Sequence, residues 1–262
     1  MSDTAVWARQ RTARLKAAFA YDRPVSFGGT RHDYVHAALK PRNPRRILDV
    51  GCGHGWTLAG LKDLGADLVG IDTDPEVLAS ARATYPFLEI VESPGGPLPF
   101  PDGSFDAVIC SDVIEHVGDE NKAPLLREIH RVLEPGGTLV LTAPHAGIFS
   151  WADPMDLKRK AAGLYRLYAR VSGYRSTTEA RIGHKHISRR EAESLLDGFV
   201  VEDMLFSGAF TSALTWPIAL AERLPLVPER VEHVLARFRA QESGVRLARL
   251  LADNIRLTAR RV

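Results

Sequence analysis

Arg46-Ile47-Leu48-Asp49-Val50-Gly51-Cys52-Gly53-His54-Gly55 decides the fold of this 262-residue chain. Apolar residues run into an acid, glycines then stand at alternate positions, and Leu58, Leu61 and Leu64 follow at helical spacing. That order predicts a buried parallel strand, a tight turn and a helix. Glycine lacks a Cβ, so such a turn takes positive φ and lets a ligand lie against bare main chain. The helix start adds N–H groups without intrahelical partners. The spacing is G-x-G-x-G with an acid two residues before Gly51, which differs from the G-x-G-x-x-G of dinucleotide enzymes. The stretch points to a nucleoside cofactor lying against Gly51, Cys52 and Gly53.

Three further stretches narrow the reading. Asp67-Leu68-Val69-Gly70-Ile71-Asp72 is a second short apolar strand ending in an acid. Asp72 stands about twenty residues past the glycine turn, where a carboxylate accepts both ribose hydroxyls of an adenosine; a plain turn or helix cap is the alternative. Phe100-Pro101-Asp102-Gly103-Ser104-Phe105-Asp106-Ala107-Val108-Ile109-Cys110 and Leu133-Glu134-Pro135-Gly136-Gly137-Thr138-Leu139-Val140-Leu141 are each a polar turn feeding a buried strand, with a helical segment between them.

With the phrases ILDVGCGHG, GID, LPFPDGSFDAVICSDVIEHV and REIHRVLEPGGTLVLTAP in this order, the chain resembles the class I S-adenosylmethionine-dependent methyltransferases. Within them it is similar to the branch that includes ubiquinone and menaquinone biosynthesis enzymes. The resemblance is close over residues 45–145 and loose elsewhere. It implies an α/β fold, a Rossmann-like sheet of seven strands whose last strand runs antiparallel between the fifth and sixth. It also implies that Asp49 helps place the methionine portion of the cofactor, through water. Ser111 would approach that portion through its backbone, and Glu92 or Ser93 would lie near the adenine edge. Thr73, beside Asp72, completes the expected cofactor-binding set.

Length fits one α/β domain of roughly 200–250 residues. The formal charge of +2 carries no global nucleic-acid signature, and 45% hydrophobic content is ordinary for a soluble protein. Two cysteines, Cys52 and Cys110, make a disulfide framework unlikely to be the organising principle and fit a reducing cytoplasm. No secretory signal is evident at the N-terminus, and the apolar run near Ala213–Ala221 is too short to span a bilayer.

The single domain is organised as an N-terminal helical cap (1–44), a cofactor-binding core (45–145), a basic helical insertion (146–187) and a C-terminal part (188–262) with a second helical insertion over 209–250. Amphipathic helices are expected over 3–20 and 31–39. The core reads as strand 46–50, helix 56–64, strand 67–71, helix 75–84, strands 88–91 and 105–110, helix 119–132 and strand 138–143. Pro75 suits a first helical turn. Ser93–Pro99 is too rich in Pro and Gly for a helix and is expected as a loop. Ser188 and Glu191 suggest a capping box opening helix 189–197, before strand 199–206 and a final strand over 254–260.

Among nine histidines, His145, His184 and His186 fall near the carboxyl ends of the strands, where open α/β sheets bind ligands. A neutral imidazole there removes a proton from an acceptor hydroxyl near neutral pH, so these three are the catalytic candidates; solvated or capping roles stay open. His116 belongs to the resembled E-H-V motif, which implies a structural or cofactor-loop role. No third ligand accompanies His184 and His186, so no metal is expected. Between Asp156 and Arg190 ten basic residues face two acids, interleaved with Leu157, Leu164, Tyr165, Leu167, Tyr168, Val171 and Tyr174. Such a segment covers an acidic substrate, lies peripherally on an anionic inner-membrane surface, or is a lid with a solvated basic face. The second insertion, with Trp216, Leu220, Leu224, Leu226 and Val227, would wall a substrate cavity, form a homodimer contact or act as an interfacial foot.

Methyl transfer to a small-molecule or lipid-like acceptor at oxygen is the leading expectation, with S-adenosyl-L-methionine as cofactor. A non-catalytic cofactor-binding scaffold and a membrane-associated enzyme of envelope or lipid-linked sugar metabolism are the alternatives. A nucleobase amine is disfavoured, because Ser111-Asp112-Val113-Ile114 stands where an N-P-P-Y-like motif would hold an exocyclic amine.

Overall fold

The computed structural model describes residues 31–147, 185–207 and 254–262, together with Gly163 and Arg166 as single helical positions. The expected helix over 3–20, most of the insertion over 146–187 and all of 209–250 lie outside the described residues.

The chain enters through α1 (Arg31–Leu39) and a 3-10 turn (Lys40–Arg42), then alternates: β1 (Arg46–Val50), α2 (Trp56–Ala59), β2 (Asp67–Asp72), α3 (Pro75–Thr84), β3 (Glu89–Glu92) and β4 (Phe105–Ser111). It continues through α4 (Asp119–Val132), β5 (Leu133–Pro144), α5 (Arg189–Leu195), β6 (Phe199–Ser207) and β7 (Asn254–Arg261). The seven strands form one sheet in the order β3-β2-β1-β4-β5-β7-β6. β7 is antiparallel to both of its neighbours, while β1 to β5 pair in parallel.

Strand alternation divides the core in two. Ile47, Ala107, Ile109 and Val140 pack with Val35 and Leu39 of α1, Leu58 of α2 and Leu78 of α3. Leu48, Val50, Val108, Cys110, Leu139 and Leu141 pack on the opposite face with Leu126, Ile129 and Val132 of α4 and Ala192 of α5. The sheet is therefore covered on both faces, which is why its central strands read as unbroken apolar runs.

Local chemistry sets the element ends. Asp74 caps α3 by accepting from Glu76 N at 2.9 Å and Val77 N at 3.4 Å, with Pro75 in the first turn. The helix expected over 56–64 divides at Gly60, and its second part is a 3-10 turn, Lys62–Leu64. α5 stops at Leu195, short of the expected 197, ahead of Gly198 at φ 79°. β5 starts earlier than expected: Leu133 already pairs with Phe105, and the register then jumps to Ala107 opposite Thr138, so Glu134–Gly137 forms a bulge within the strand.

Ser93–Pro99 is a loop, as its composition predicts. Side chains of α4 fix it instead of backbone pairing. Glu128 accepts from Leu98 N at 2.8 Å, and Arg131 donates to the carbonyls of Leu98 and Phe100 and to Asp102.

Candidate functional site

The parallel strands deliver their last residues to one edge of the sheet, and the predicted cofactor residues gather there. Register makes Asp49 the partner of Gly70 and of Ile109, and Ser111 the partner of Thr142. Asp49, Asp72, Ser111 and Thr142 thus share the sheet face that carries α1 and α2.

Gly51, Gly53 and Gly55 have φ of 75°, 50° and 78°, conformations that glycine adopts without strain. The turn is closed by Gly51 N and Cys52 N donating to Ile71 O, at 2.8 and 3.1 Å. A Cβ on Gly51 would lie 2.3 Å from Val113 Cγ2, whereas one on Gly53 would meet nothing within 4 Å. Bare main chain at Gly53 therefore borders open space, as a ligand cradle requires. Cys52 is directed inward: a Cβ on Gly70 would come within 2.7 Å of its sulfur. Burial, with Asp49 and Asp72 nearby, pushes the Cys52 thiol well above its ordinary range, so it is no nucleophile.

Asp72 ends β2 with its carboxylate already engaged. Oδ2 accepts from Gly53 N at 2.9 Å, and Oδ1 from Thr73 N at 2.7 Å and Asp74 N at 3.1 Å. Thr73 is exposed beside it. Ser93 N donates to Asp72 O at 3.0 Å, which brings Ser93, 7% exposed, and the exposed Glu92 to the same edge. A carboxylate offers about four lone-pair sites, and three are taken here.

Asp49 is 2% exposed. Burial, opposed by Arg31 and reinforced by Asp72, pushes its carboxyl up to about 8.

A polar relay not foreseen from the sequence borders this cradle. Arg31 of α1 is paired with Asp112, which follows β4 at φ 54°. Thr142 donates to Asp112 Oδ1 at 2.8 Å, so its hydroxyl proton is committed and Ser111 Oγ, 2.8 Å away, must donate to Thr142. The lone pairs of Ser111 Oγ then remain as acceptors. Nearby, His32 Nδ1 meets Thr57 Oγ1 at 3.1 Å, and Tyr34 meets Thr258 at 2.9 Å, which fasten α1 to α2 and to β7. Asp112 could have been noted as a second acid at a strand end. Arg31 carries no local signal, being 81 positions from its partner.

The histidines divide. His145 follows β5, is 6% exposed, and its Nδ1 lies 2.9 Å from Ile187 O, with its ring edge-on to Phe206 at 4.9 Å. A carbonyl only accepts, so Nδ1 is the donor in this contact. His186 is half-buried beside Ile187, which pairs with His145 in an isolated bridge. His184 lies outside the described residues. Among the described residues no cluster of three or more His, Cys, Asp or Glu side chains could hold a metal ion, and no helix is long and apolar enough to cross a membrane.

Known proteins share this arrangement. Residues 48–141 match the family described as methyltransferase domain. A probable S-adenosylmethionine-dependent methyltransferase of Mycolicibacterium smegmatis is 36% identical over 121 residues, 46% of this chain and 46% of that protein. The chain thus spans about half the length of that relative. A methyltransferase of Mycobacterium sp. strain JLS is 30% identical over 229 residues, 82% of this chain and 86% of the relative. The demethylmenaquinone methyltransferase of Thermus thermophilus is 42% identical over 129 residues, 46% of this chain and 57% of that protein. In fold, the chain is similar to the S-adenosylmethionine-dependent methyltransferase of Mesorhizobium loti, with a TM-score of 0.55 at 20% identity over 89% of this chain and 99% of the other. The glycine cradle, the β7 insertion in the sheet and these relatives together show that the chain belongs to the class I S-adenosylmethionine-dependent methyltransferases, which use S-adenosylmethionine as methyl donor.

Proposed function

We propose that this chain transfers a methyl group from S-adenosylmethionine to an oxygen of a small-molecule or lipid-like acceptor. The observation that carries the reading is the positive-φ glycine turn at the end of β1, open at Gly53 and faced by the Asp72 carboxylate. When bound, the cofactor supplies a methyl group on a sulfonium, open to in-line attack by an acceptor lone pair.

The residues then have distinct tasks. Gly51, Cys52 and Gly53 offer main chain. Asp72 takes the ribose, with Thr73 beside it, and Glu92 and Ser93 border the adenine. Asp49 and Ser111 serve the methionine end. With three lone-pair sites of Asp72 occupied by peptide N–H groups, full acceptance of a ribose diol requires one of them to yield. Gly53 N, on the open side of the turn, is the one that yields. Thr73 and Asp74 belong to a local turn and stay.

His145, which closely follows the end of β5 with Nδ1 fixed on Ile187, is the leading candidate to ready the acceptor hydroxyl; His184 and His186 are the other candidates for that task. The relative acting on demethylmenaquinone supports an aromatic, lipid-tailed acceptor. The basic and aromatic stretch from Asp156 to Arg190 supports peripheral contact with an anionic lipid surface.

Calorimetric titration with S-adenosylmethionine tests the cradle. Asp72→Ala is expected to weaken binding at least about tenfold, as for a lost hydrogen bond to a charged group; unchanged binding refutes it. Turnover to S-adenosylhomocysteine with a panel of phenols, quinols and lipid extracts tests the reaction. On an accepted substrate, His145→Gln should lower kcat by about a hundredfold or more with KM little moved.

A further inference from the structure

Asp49 is a buried acid at the edge of the cradle. It stands in β1 two residues before the glycine turn and is 2% exposed. The charged and titratable groups facing it come from four elements: Arg31 on α1, Asp72 on β2, the Cys52 thiol in the turn and the Cys110 thiol on β4. Both thiols are held neutral by burial. Arg31, the one cation facing it among the described residues, is already paired with Asp112. Asp49 and Asp112 therefore share one guanidinium, and Asp49, the more deeply buried of the two, has the lesser claim on it. Such an acid keeps its proton until positive charge arrives.

We propose that Asp49 ionises on entry of the methyl donor, so that donor uptake expels a proton, and that the demethylated product expels less. The proposal rests on the cofactor reading above and deepens it. Donor and product share adenosine, ammonium and carboxylate groups, and differ by one methyl and one positive charge. An opposite charge within a few ångströms lowers a carboxyl by about one to three pH units. The sulfonium thus holds Asp49 ionised more firmly than the thioether does. Loss of the methyl group lets Asp49 recover a proton from solvent, which weakens the grip on product and favours its exchange for fresh donor. With the carboxyl of the ligand-free site raised to about 8 by burial, the coupling operates across neutral pH. Donor affinity should climb with pH by up to about tenfold per unit and level off above pH 8. Product affinity should climb less.

The test is calorimetry of S-adenosylmethionine and S-adenosylhomocysteine binding at pH 6, 7 and 8 in two buffers of different ionisation heat. Greater proton release with donor than with product, absent in Asp49→Asn, supports the proposal. The asparagine variant subtracts protons that leave the ligands' own amino groups. Equal release for the two ligands, or undiminished release in the variant, overturns it. Should the variant fail to fold, infrared difference spectra of the unmodified protein decide: a protonated-carboxyl band must disappear on donor binding, and its persistence overturns the proposal. Failure of both ligands to bind the unmodified protein is a separate result, and sinks the cofactor reading itself.

Discussion

A methyl group added at Gly51 and one added at Gly53 meet different surroundings, although both residues have positive φ. Gly51→Ala combines left-handed strain with overlap on Val113, together roughly 3 kcal/mol. Gly53→Ala carries the strain alone, about 1 kcal/mol, and projects into the ligand's space. Urea melts should therefore show a large loss for the first and a small one for the second, while S-adenosylmethionine titration shows Gly53→Ala weakened more than tenfold, about 1.4 kcal/mol or more. Asp49 gives a second expectation at this scale. Its carboxyl is raised when folded, so the stability it contributes is whole below the unfolded value near 3.8 and is lost as pH rises through about 8. Asp49→Asn should match the parent protein in thermal melting at pH 4 and exceed it progressively toward pH 8.5; equal melting across that range refutes the raised carboxyl. The glycines and Asp72 were legible from spacing because a cradle is local. The protonation of Asp49 was not, because it arises from what the fold excludes.

At the scale of elements, α5 is tied to α4 by charge. Ser188 caps α5 by accepting from Glu191 N at 3.1 Å, but Glu191 does not complete the expected capping box: its carboxylate takes Lys122 Nζ at 2.9 Å. Lys122 is 1% exposed and also meets Asp119 at 2.9 Å, which Lys185 joins at 2.8 Å. Removing an acid leaves a buried ammonium poorly matched, whereas replacing the lysine removes the charge and keeps the volume. Glu191→Gln should cost about 1.5 kcal/mol or more, and Lys122→Met less than about 1 kcal/mol, by chemical denaturation. The reverse order would show that the cluster is not governed by desolvation. Apolar periodicity marked α1, α3 and α4 with the bounds observed, and Pro75 and Asp74 marked where α3 begins. Periodicity failed where glycine intervenes, at Gly60 and before Gly198. It also could not show that Arg131 does for the Ser93–Pro99 loop what a strand neighbour would do, since that contact joins distant segments.

For the whole molecule, opposing ionisations set an optimum. Asp119, held down to about 2 by Lys185 and Lys122, contributes stability present above pH 4 and lost as pH falls through 2. Asp106, Glu128 and Glu202 are also lowered, by Arg45, Arg131 and Arg42, and act in the same direction. Asp49 acts in the opposite one. The melting temperature should peak near about pH 4 to 5 and fall toward pH 8, and a rise continuing to pH 9 would contradict the balance. The strand order was legible only through resemblance, because nothing local in Asn254–Arg261 states that β7 inserts between β5 and β6. The bridge at the end of β5 has a consequence of its own. Ile187 N donates to Pro144 O at 2.9 Å and Ala146 N to Ile187 O at 3.1 Å, so the chain leaves the sheet after Gly147 and returns at Lys185 through a single narrow doorway. With both ends pinned side by side, lengthening the chain between them adds little closure entropy, so this is where the fold tolerates insertions.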